Sequence, residues 1–392
     1  MTVTVSSWGD NANGQLGDGT TISRFPSQEV KGLDAVVRLA AGCGQVLAVT
    51  GDGALWGWGR NAFGQVGDGT TENPSMPVRV AGLPGRVRSV GAGGGHTVAL
   101  LEDGTVWAWG AGFFCALGES NFGVQPTPIR VDGLEDVVDI AVGGAHTLAL
   151  KADGSVWSWG RDDRGQLGDG TDSTVPGRIE RAYMGISFAC RPRPAQVRGL
   201  EPAVKVSAGG GHSMVVHADG SASVWGFNDR GQLGDGTTTD RHAPQAVPGL
   251  TGISQLVGGY HHTVALLSDS TVWAWGLNDG GQLGDGTTID RAVPARVPSV
   301  AGAKAVAANG GGTDAAPGNG GFSLALLADG TVSGWGWNND VQLADGDTES
   351  VLSPIALPLP RRAIALAAGG EVPSTNKFMA APGGGFALAL LG

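Results

Sequence analysis

Short apolar runs of strand length, separated by glycine-rich punctuation, recur along the whole chain. In residues 91 to 110, GAGGGHTVALLEDGTVWAWG, the runs HTVALL and TVWAWG each have the length and composition of a β-strand. Glu-Asp-Gly between them predicts a tight hairpin. Upstream, VRSVGAG supplies a strand ahead of a glycine-rich turn. Downstream, a proline-led run such as PVRV at 77–80 supplies a fourth. Proline suits an outermost strand, where one side of the backbone has no ladder to feed. The unit is a four-strand antiparallel meander, A to D.

The unit repeats. Trp-Gly marks stand at Trp8, Trp58, Trp109, Trp159, Trp225, Trp275 and Trp335. Each is followed by a turn: GQLGDG at 14–19, 165–170, 231–236 and 281–286, GQVGDG at 64–69, and the altered forms CALGES at 115–120 and VQLADG at 341–346. A substrate site has no need of seven copies, whereas a turn closing each unit of a repeating fold does. Seven four-stranded units predict an all-β, seven-bladed β-propeller occupying residues 1–392 as one domain. The last residues, GGGFALALLG, match GGGHTVALLE without its partner strand, and the first, TVTVSSWG, match the missing partner. One blade is therefore expected to draw on both termini and close the ring.

The motifs G-x-x-H-x-x-A-L, D-G-x-V-x-x-W-G and N-x-x-G-Q-L-G resemble those of the regulator-of-chromosome-condensation repeat family, over essentially the whole chain. The resemblance implies a protein-binding platform more often than an enzyme. The family's nucleotide-exchange branch carries a wedge and a basic tail, which have no counterpart here. Its UV-B-sensing branch carries Gly-Trp-Arg-His-Thr where this chain has Gly-Gly-His-Thr (94–97) and Tyr-His-His-Thr (260–263). The resemblance to its secreted β-lactamase inhibitors, which place aromatics on A–B loops, rests on Tyr260.

Composition narrows the remaining classes. Seventy glycines are compatible with a packed core because 41% of residues are hydrophobic and twelve are tryptophan. A net charge of −11 speaks against non-specific nucleic-acid binding and against anionic membranes. Cys43, Cys115 and Cys190 are an odd number at unrelated repeat positions, so no disulfide framework and a reducing, cytoplasmic setting are expected. The alternative is secretion, with a signal peptide outside this sequence. Arginine in excess of lysine, with much Ala and Gly, points to a bacterial source, and the chain is expected to be a monomer.

Most repeat residues have structural roles. Asp235 and its equivalents are expected to bind turn amides, and Gln232 to bridge neighbouring loops. His96, His146, His212 and His262 share one repeat position on four blades, which suits a common hydrogen bond better than a metal centre; neither a metal nor a cofactor is expected.

Function is expected where the repeat breaks. Insertions occupy 175–193, 309–321 and 371–385, and the turn is rewritten at 111–123. Alternating strand direction puts all of them on the face that carries the A–B and C–D loops, where they are expected to converge over the channel mouth. The binding residues proposed there are Phe113, Phe114, Cys115, Tyr183, Met184, Phe188, Arg191, Tyr260, His261 and Phe378. Cys115 is also a candidate nucleophile. Tyr260, His261 and His262 are candidates to supply an acid/base pair, with no carboxylate partner visible in sequence. Two functions remain: a platform gripping a protein or peptide through aromatic anchors, or an enzyme of bacterial secondary metabolism holding a small, possibly anionic molecule under the three inserts, in a pocket lined by Tyr183, Arg191, Tyr260 and His261.

Overall fold

The computed structural model describes residues 3–120, 122–170, 177–183, 186–309, 321–343, 346–370 and 384–392, with the side chains of 183 and 186 excepted. Every described regular element is a β-strand, arranged in seven antiparallel sheets. Each sheet is one blade, named here by its Trp-Gly tryptophan. In five blades the strands follow one another in sequence order, innermost to outermost, as in Val87–Ala92, His96–Leu101, Val106–Ala111 and Val124–Arg130 of the Trp109 blade.

Closure uses both termini. Thr4–Gly9 pairs with Phe386–Leu391 in continuous register, from Thr4 opposite Leu391 to Gly9 opposite Phe386. The Trp8 blade thus takes its two inner strands from the C-terminus and its two outer strands from the N-terminus. Pairing them removes the open edge that a linear array would present.

The seven tryptophans are fully buried between blades. Each Nε1–H donates to a main-chain carbonyl in the preceding blade's turn: Trp275 to Gln232 O at 2.9 Å, Trp58 to Gln15 O at 2.9 Å, Trp8 to Gln342 O at 2.8 Å. In the altered CALGES copy, Trp159 donates instead to Ala116 O at 3.0 Å. Within a turn, Asp235 Oδ1 accepts from the amide and hydroxyl of Thr237, and Gln232 Oε1 accepts from the Arg230 amide. The repeated motif therefore sets each turn internally and hands one carbonyl to the next blade.

The histidine position forms a relay around the ring. His212 Nε2 lies 3.0 Å from Thr263 Oγ1, which gives its only hydrogen to Gln232 O at 2.8 Å. The hydroxyl must therefore accept, so His212 is the neutral Nε2–H tautomer. His146 repeats this arrangement with Ser213, and His262 with Ser323. Burial holds His96 at about 4 and His146, His212 and His262 at about 3, well below the ordinary imidazole value.

The insertion of the Trp159 blade departs from expectation. Its described part continues the sheet: Ile179–Tyr183 pairs with Ile186–Gln196, making this blade five-stranded. The insert joins the chain ahead of the outermost strand, so it prolongs that strand and adds another outside it. It therefore lies on the blade's outer side rather than over the channel mouth.

The innermost strands line a central channel with a cavity of about 390 Å³. Its wall is mostly small and apolar. Gln255 pairs with both the amide and the carbonyl of Val306 on the next blade, each at 3.1 Å. Asp139, in the same lining, is held above the usual carboxylate range by burial.

Candidate functional site

Two of the four departures from the repeat form one structure. The inserted hairpin of the Trp159 blade packs against the rewritten turn of the Trp109 blade, and Cys115 is joined to Cys190 by a disulfide, with Cα atoms 6.1 Å apart. Phe114 and Phe188 stack with centroids 5.0 Å apart, and the Arg161 guanidinium lies 5.4 Å from the Phe114 ring. Arg181 of the hairpin sits 3.8 Å from the centre of Phe122. Cys115, Phe188 and Cys190 form a small apolar cluster of their own, flanked by Phe114, Phe122 and Ile179. This corrects two expectations. A disulfide is present, and Cys115 is not available as a thiol nucleophile. The partners lie 75 residues apart on different blades, and only the fold of the insert brings Cys190 over the turn.

Arg191 belongs to the scaffold. It stands within the lengthened strand Ile186–Gln196 opposite Gly160, at the register place where Arg24, Arg241 and Arg291 open their strands opposite Gly9, Gly226 and Gly276. All four pair with the aspartate of their own turn: Asp169, Asp18, Asp235 and Asp285. Arg191 also donates through Nη2 to Ser158 O and Oγ. It is 2% exposed, so it does not line a pocket open to a ligand.

Beside it the repeat is altered in a compensated way. Five blades place an asparagine after the residue that follows Trp-Gly: Asn11, Asn61, Asn228, Asn278 and Asn338. Asn228 Nδ2, for example, donates to Asp235, Thr237 and Thr239. The Trp159 blade has Asp162 there, a group with no N–H to give. Arg178, from the insertion, supplies a cation instead, ion-paired through Nη1 at 3.1 Å from Asp162 Oδ2 and 3.9 Å from Asp169 Oδ1. Two carboxylates and two guanidiniums thus meet in one cluster, with the side chains of Asp162, Asp169 and Arg191 buried and that of Arg178 partly exposed. Burial, and secondarily Asp169, raise the Asp162 carboxyl well above the usual range, while Arg178 and Arg191 oppose the shift.

A second cluster lies on the Trp275 blade's A–B loop. The rings of Tyr260 and His261 stack 4.5 Å apart, and the edge of Phe227 meets His261 at 5.2 Å. Arg164 covers Phe227 at 4.8 Å. His261 does have a carboxylate neighbour: Asp229 Oδ1 lies 3.5 Å from its Nδ1. Asp229 sits in the preceding blade's turn, so the pairing crosses a blade boundary and has no local signature. Tyr260 is 5% exposed and His261 7%.

The predicted residues therefore fall into separate groups. Cys115, Phe114, Phe188 and Arg191 belong to the Trp109–Trp159 junction, and Tyr260 and His261 to another junction. Phe113 meets Phe63 edge-on at 5.6 Å. Tyr183 ends the first strand of the hairpin, but its side chain, together with Met184, Phe378 and most of the inserts 309–321 and 371–385, lies outside the described residues. At the root of the last insert, the amide of Gly384 donates to Asp10 and that of Gly385 to Asp340, each at 3.0 Å.

The same face carries Phe63, Phe227 and Trp337, which sequence reading passed over. With Phe113, Phe114 and Phe122 they are half-buried. They occupy repeat positions close to the conserved-looking turn, which hid them. The signal was available: the position of Phe227 and Trp337 elsewhere carries Asp10, Arg60, Ala111, Arg161 and Leu277, and that of Phe63 and Phe114 carries Asn13, Arg164, Arg230, Gly280 and Asp340. Among the described residues no group of three or more His, Cys, Asp or Glu is placed to hold a metal ion, and no helix is long and apolar enough to cross a membrane.

Comparison with known proteins agrees with this architecture. The structure resembles that of Prp20p from Saccharomyces cerevisiae, with a TM-score of 0.80 at 20% identity, covering 100% of this chain and 92% of that one. Human WBSCR16 gives 0.77 at 21% identity, covering 100% and 99%. In sequence, the human E3 ubiquitin-protein ligase HERC2 is 29% identical over 254 residues, covering 62% of this chain but 5% of that protein. The ultraviolet-B receptor UVR8 of Arabidopsis thaliana is 32% identical over 247 residues, covering 61% of this chain and 52% of that one. The chain thus spans about half of UVR8 and a small part of HERC2. The family model of the RCC1-like domain matches residues 4–373, and the chain belongs to that family.

Proposed function

We propose that the chain is a rigid binding platform whose A–B and C–D loop face grips a protein or peptide partner without turnover. The observation that carries this reading is the set of half-buried aromatic rings gathered on that face: Phe63, Phe113, Phe114, Phe227 and Trp337. Aromatic rings offer large contact area at small conformational cost, and they dominate the energetics of protein interfaces. Arginines beside Phe63, Phe114 and Phe227 hold those rings in place.

Related proteins point the same way. The solved Prp20p was characterised with its binding to Gsp1p and histones, and yeast RCC1 was solved bound to Kap60. The platform needs no cofactor, and its charge does not suit nucleic acid or anionic membrane. A monomer of bacterial origin belongs to the same reading, from composition. Against the enzyme alternative, Arg191 and Tyr260, which a lidded pocket would share, sit in different networks.

The test is capture of partners from the source organism by the protein and by a Phe63→Ala/Phe227→Ala/Trp337→Ala variant. The expected result is a protein retained by the parent and lost by the variant, with thermal unfolding of the two still cooperative. A partner held equally by both would overturn the reading.

A further inference from the structure

We propose that the Cys115–Cys190 bond is a native cross-link, acquired in an oxidising compartment, that fixes the inserted hairpin onto the Trp109 blade as one rigid part of the loop face. The existence of the cross-link does not depend on the platform reading; only its consequence for binding does.

The backbone at Cys115 is one that the turns otherwise give to glycine, except in the altered VQLADG copy, where Val341 has φ +53°. Cys115 has φ +64°, at a position where five other turns use Gly14, Gly64, Gly165, Gly231 and Gly281, all at positive φ. Glycine adopts that conformation freely, and a residue with a Cβ does not. In the glycine copies a Cβ would also run into the next blade's backbone at or just before its outer strand: at Gly14 it would lie 2.6 Å from Ser75 Cα, and at Gly231 2.6 Å from Ala292 Cα. In the Trp109 turn that side-chain space leads to Cys190.

The hairpin also needs a fastening. Its apolar cluster is small and separate from the blade cores, which are built around the tryptophans. Small elements with little core of their own gain most from covalent links, and this one closes a long stretch of chain, its partners being 75 positions apart.

Both cysteines are fully buried. A disulfide oxidoreductase therefore acts before the hairpin settles. Its disulfide takes two electrons and two protons from the Cys115 and Cys190 thiols, becoming a dithiol as the S–S bond forms. Once packed, the bond is shielded from thiolate attack, so it is a permanent fastening rather than a switch. Such bonds persist in periplasmic or extracellular settings, which reverses the cytoplasmic expectation from cysteine spacing.

The test begins with protein taken from its native cells into an alkylating agent, then digested without reduction. The expected result is a peptide joining Cys115 to Cys190, with neither residue alkylated. Alkylation of both would overturn the cross-link, as would either cysteine joined to another partner. The fastening is read by hydrogen exchange of Cys115→Ser against the parent. Exchange at 111–120 and 186–190 is expected to quicken by at least ~10-fold while the Trp275 blade is unchanged. Equal exchange at the hairpin would overturn its dependence on the bond. Neither readout involves a binding partner, so failure here and failure of the platform reading are separable.

Discussion

Arg191 ion-pairs with its turn aspartate, Asp169, through Nη1 where Arg241 reaches Asp235 through Nε, and its side chain is 2% exposed where that of Arg241 is 34%. The paired residue types are the same and their surroundings are not. Elsewhere the arginine lies along an open outer strand, whereas on the Trp159 blade the added strand Ile179–Tyr183 covers it. Covering an ion pair removes solvent from both charges, and the cost is recovered only if every charge has a partner. Asp162, where five blades have asparagine, adds a further carboxylate, and Arg178 answers it.

This interdependence predicts a rescue. Arg178→Ala leaves Asp162, whose side chain is fully buried, facing Asp169 with one cation lost. Removing one partner from a buried network costs about 3–5 kcal/mol. Asp162→Asn in the same chain restores the amide donor that Asn228 and Asn278 use, and is expected to return most of that loss. Thermal or urea unfolding of the two single variants and the double variant checks it. A double variant as unstable as Arg178→Ala would mean that the arginine acts through packing alone.

A pair of glycines in one turn tests the scaffold. A Cβ at Gly234 would lie 2.7 Å from Trp275 Nε1, where the blade-to-blade hydrogen bond is made, whereas at Gly236 the nearest heavy atom is 3.9 Å away. Both have positive φ, so both alanine variants carry a backbone cost of roughly 1–2 kcal/mol. Gly234→Ala adds overpacking against an immovable ring, typically another 1–3 kcal/mol. Gly234→Ala should therefore unfold at clearly lower denaturant than Gly236→Ala, with near-equal slopes.

Ring closure predicts a further contrast. Leu388 lies fully buried on the strand that pairs with the N-terminus, opposite Ser7, while Ile289 is 69% exposed on a turn. Leu388→Ala is expected to cost about 2–5 kcal/mol. Ile289→Ala is expected to stay within about 0.5 kcal/mol of the parent in the same unfolding measurement.

The architecture was legible because it is repeated. Seven copies of one strand pattern average out local ambiguity, and the split motif at the two ends identifies the closing blade. The site was less legible because its pairings cross blade boundaries. Asp229 meets His261, and Cys190 meets Cys115, through the geometry of neighbouring blades, with nothing local to announce either. Arg191 misled for the opposite reason. It was read as part of an unusual insertion, although alignment with Arg24, Arg241 and Arg291 identifies it as a repeat residue displaced in number by the inserted strand.

The buried histidines predict an acid-side loss of stability with a defined window. In the folded ring His146, His212 and His262 stay neutral down to about 3 and His96 down to about 4, against 6.5 when exposed. Between those limits the unfolded chain binds more protons, so stability rises with pH across the window and is lost as pH falls from 6.5 towards 4. Each histidine contributes up to about 1.4 kcal/mol per pH unit there. The turn aspartates Asp18, Asp235 and Asp285 are held below their ordinary value, so their stabilisation is lost lower, below about 4. Asp162 and Asp340 are raised and work the other way over part of the range, which makes the difference between variant and parent the useful quantity. Glutamine fills this position in the Trp58 blade, where Gln45 Nε2 donates to Gly93 O at 2.8 Å. His262→Gln should therefore fold at pH 7.5 and show a shallower fall in unfolding free energy between pH 6.5 and 4.5. Parallel pH curves for parent and variant would mean that His262 does not titrate on unfolding.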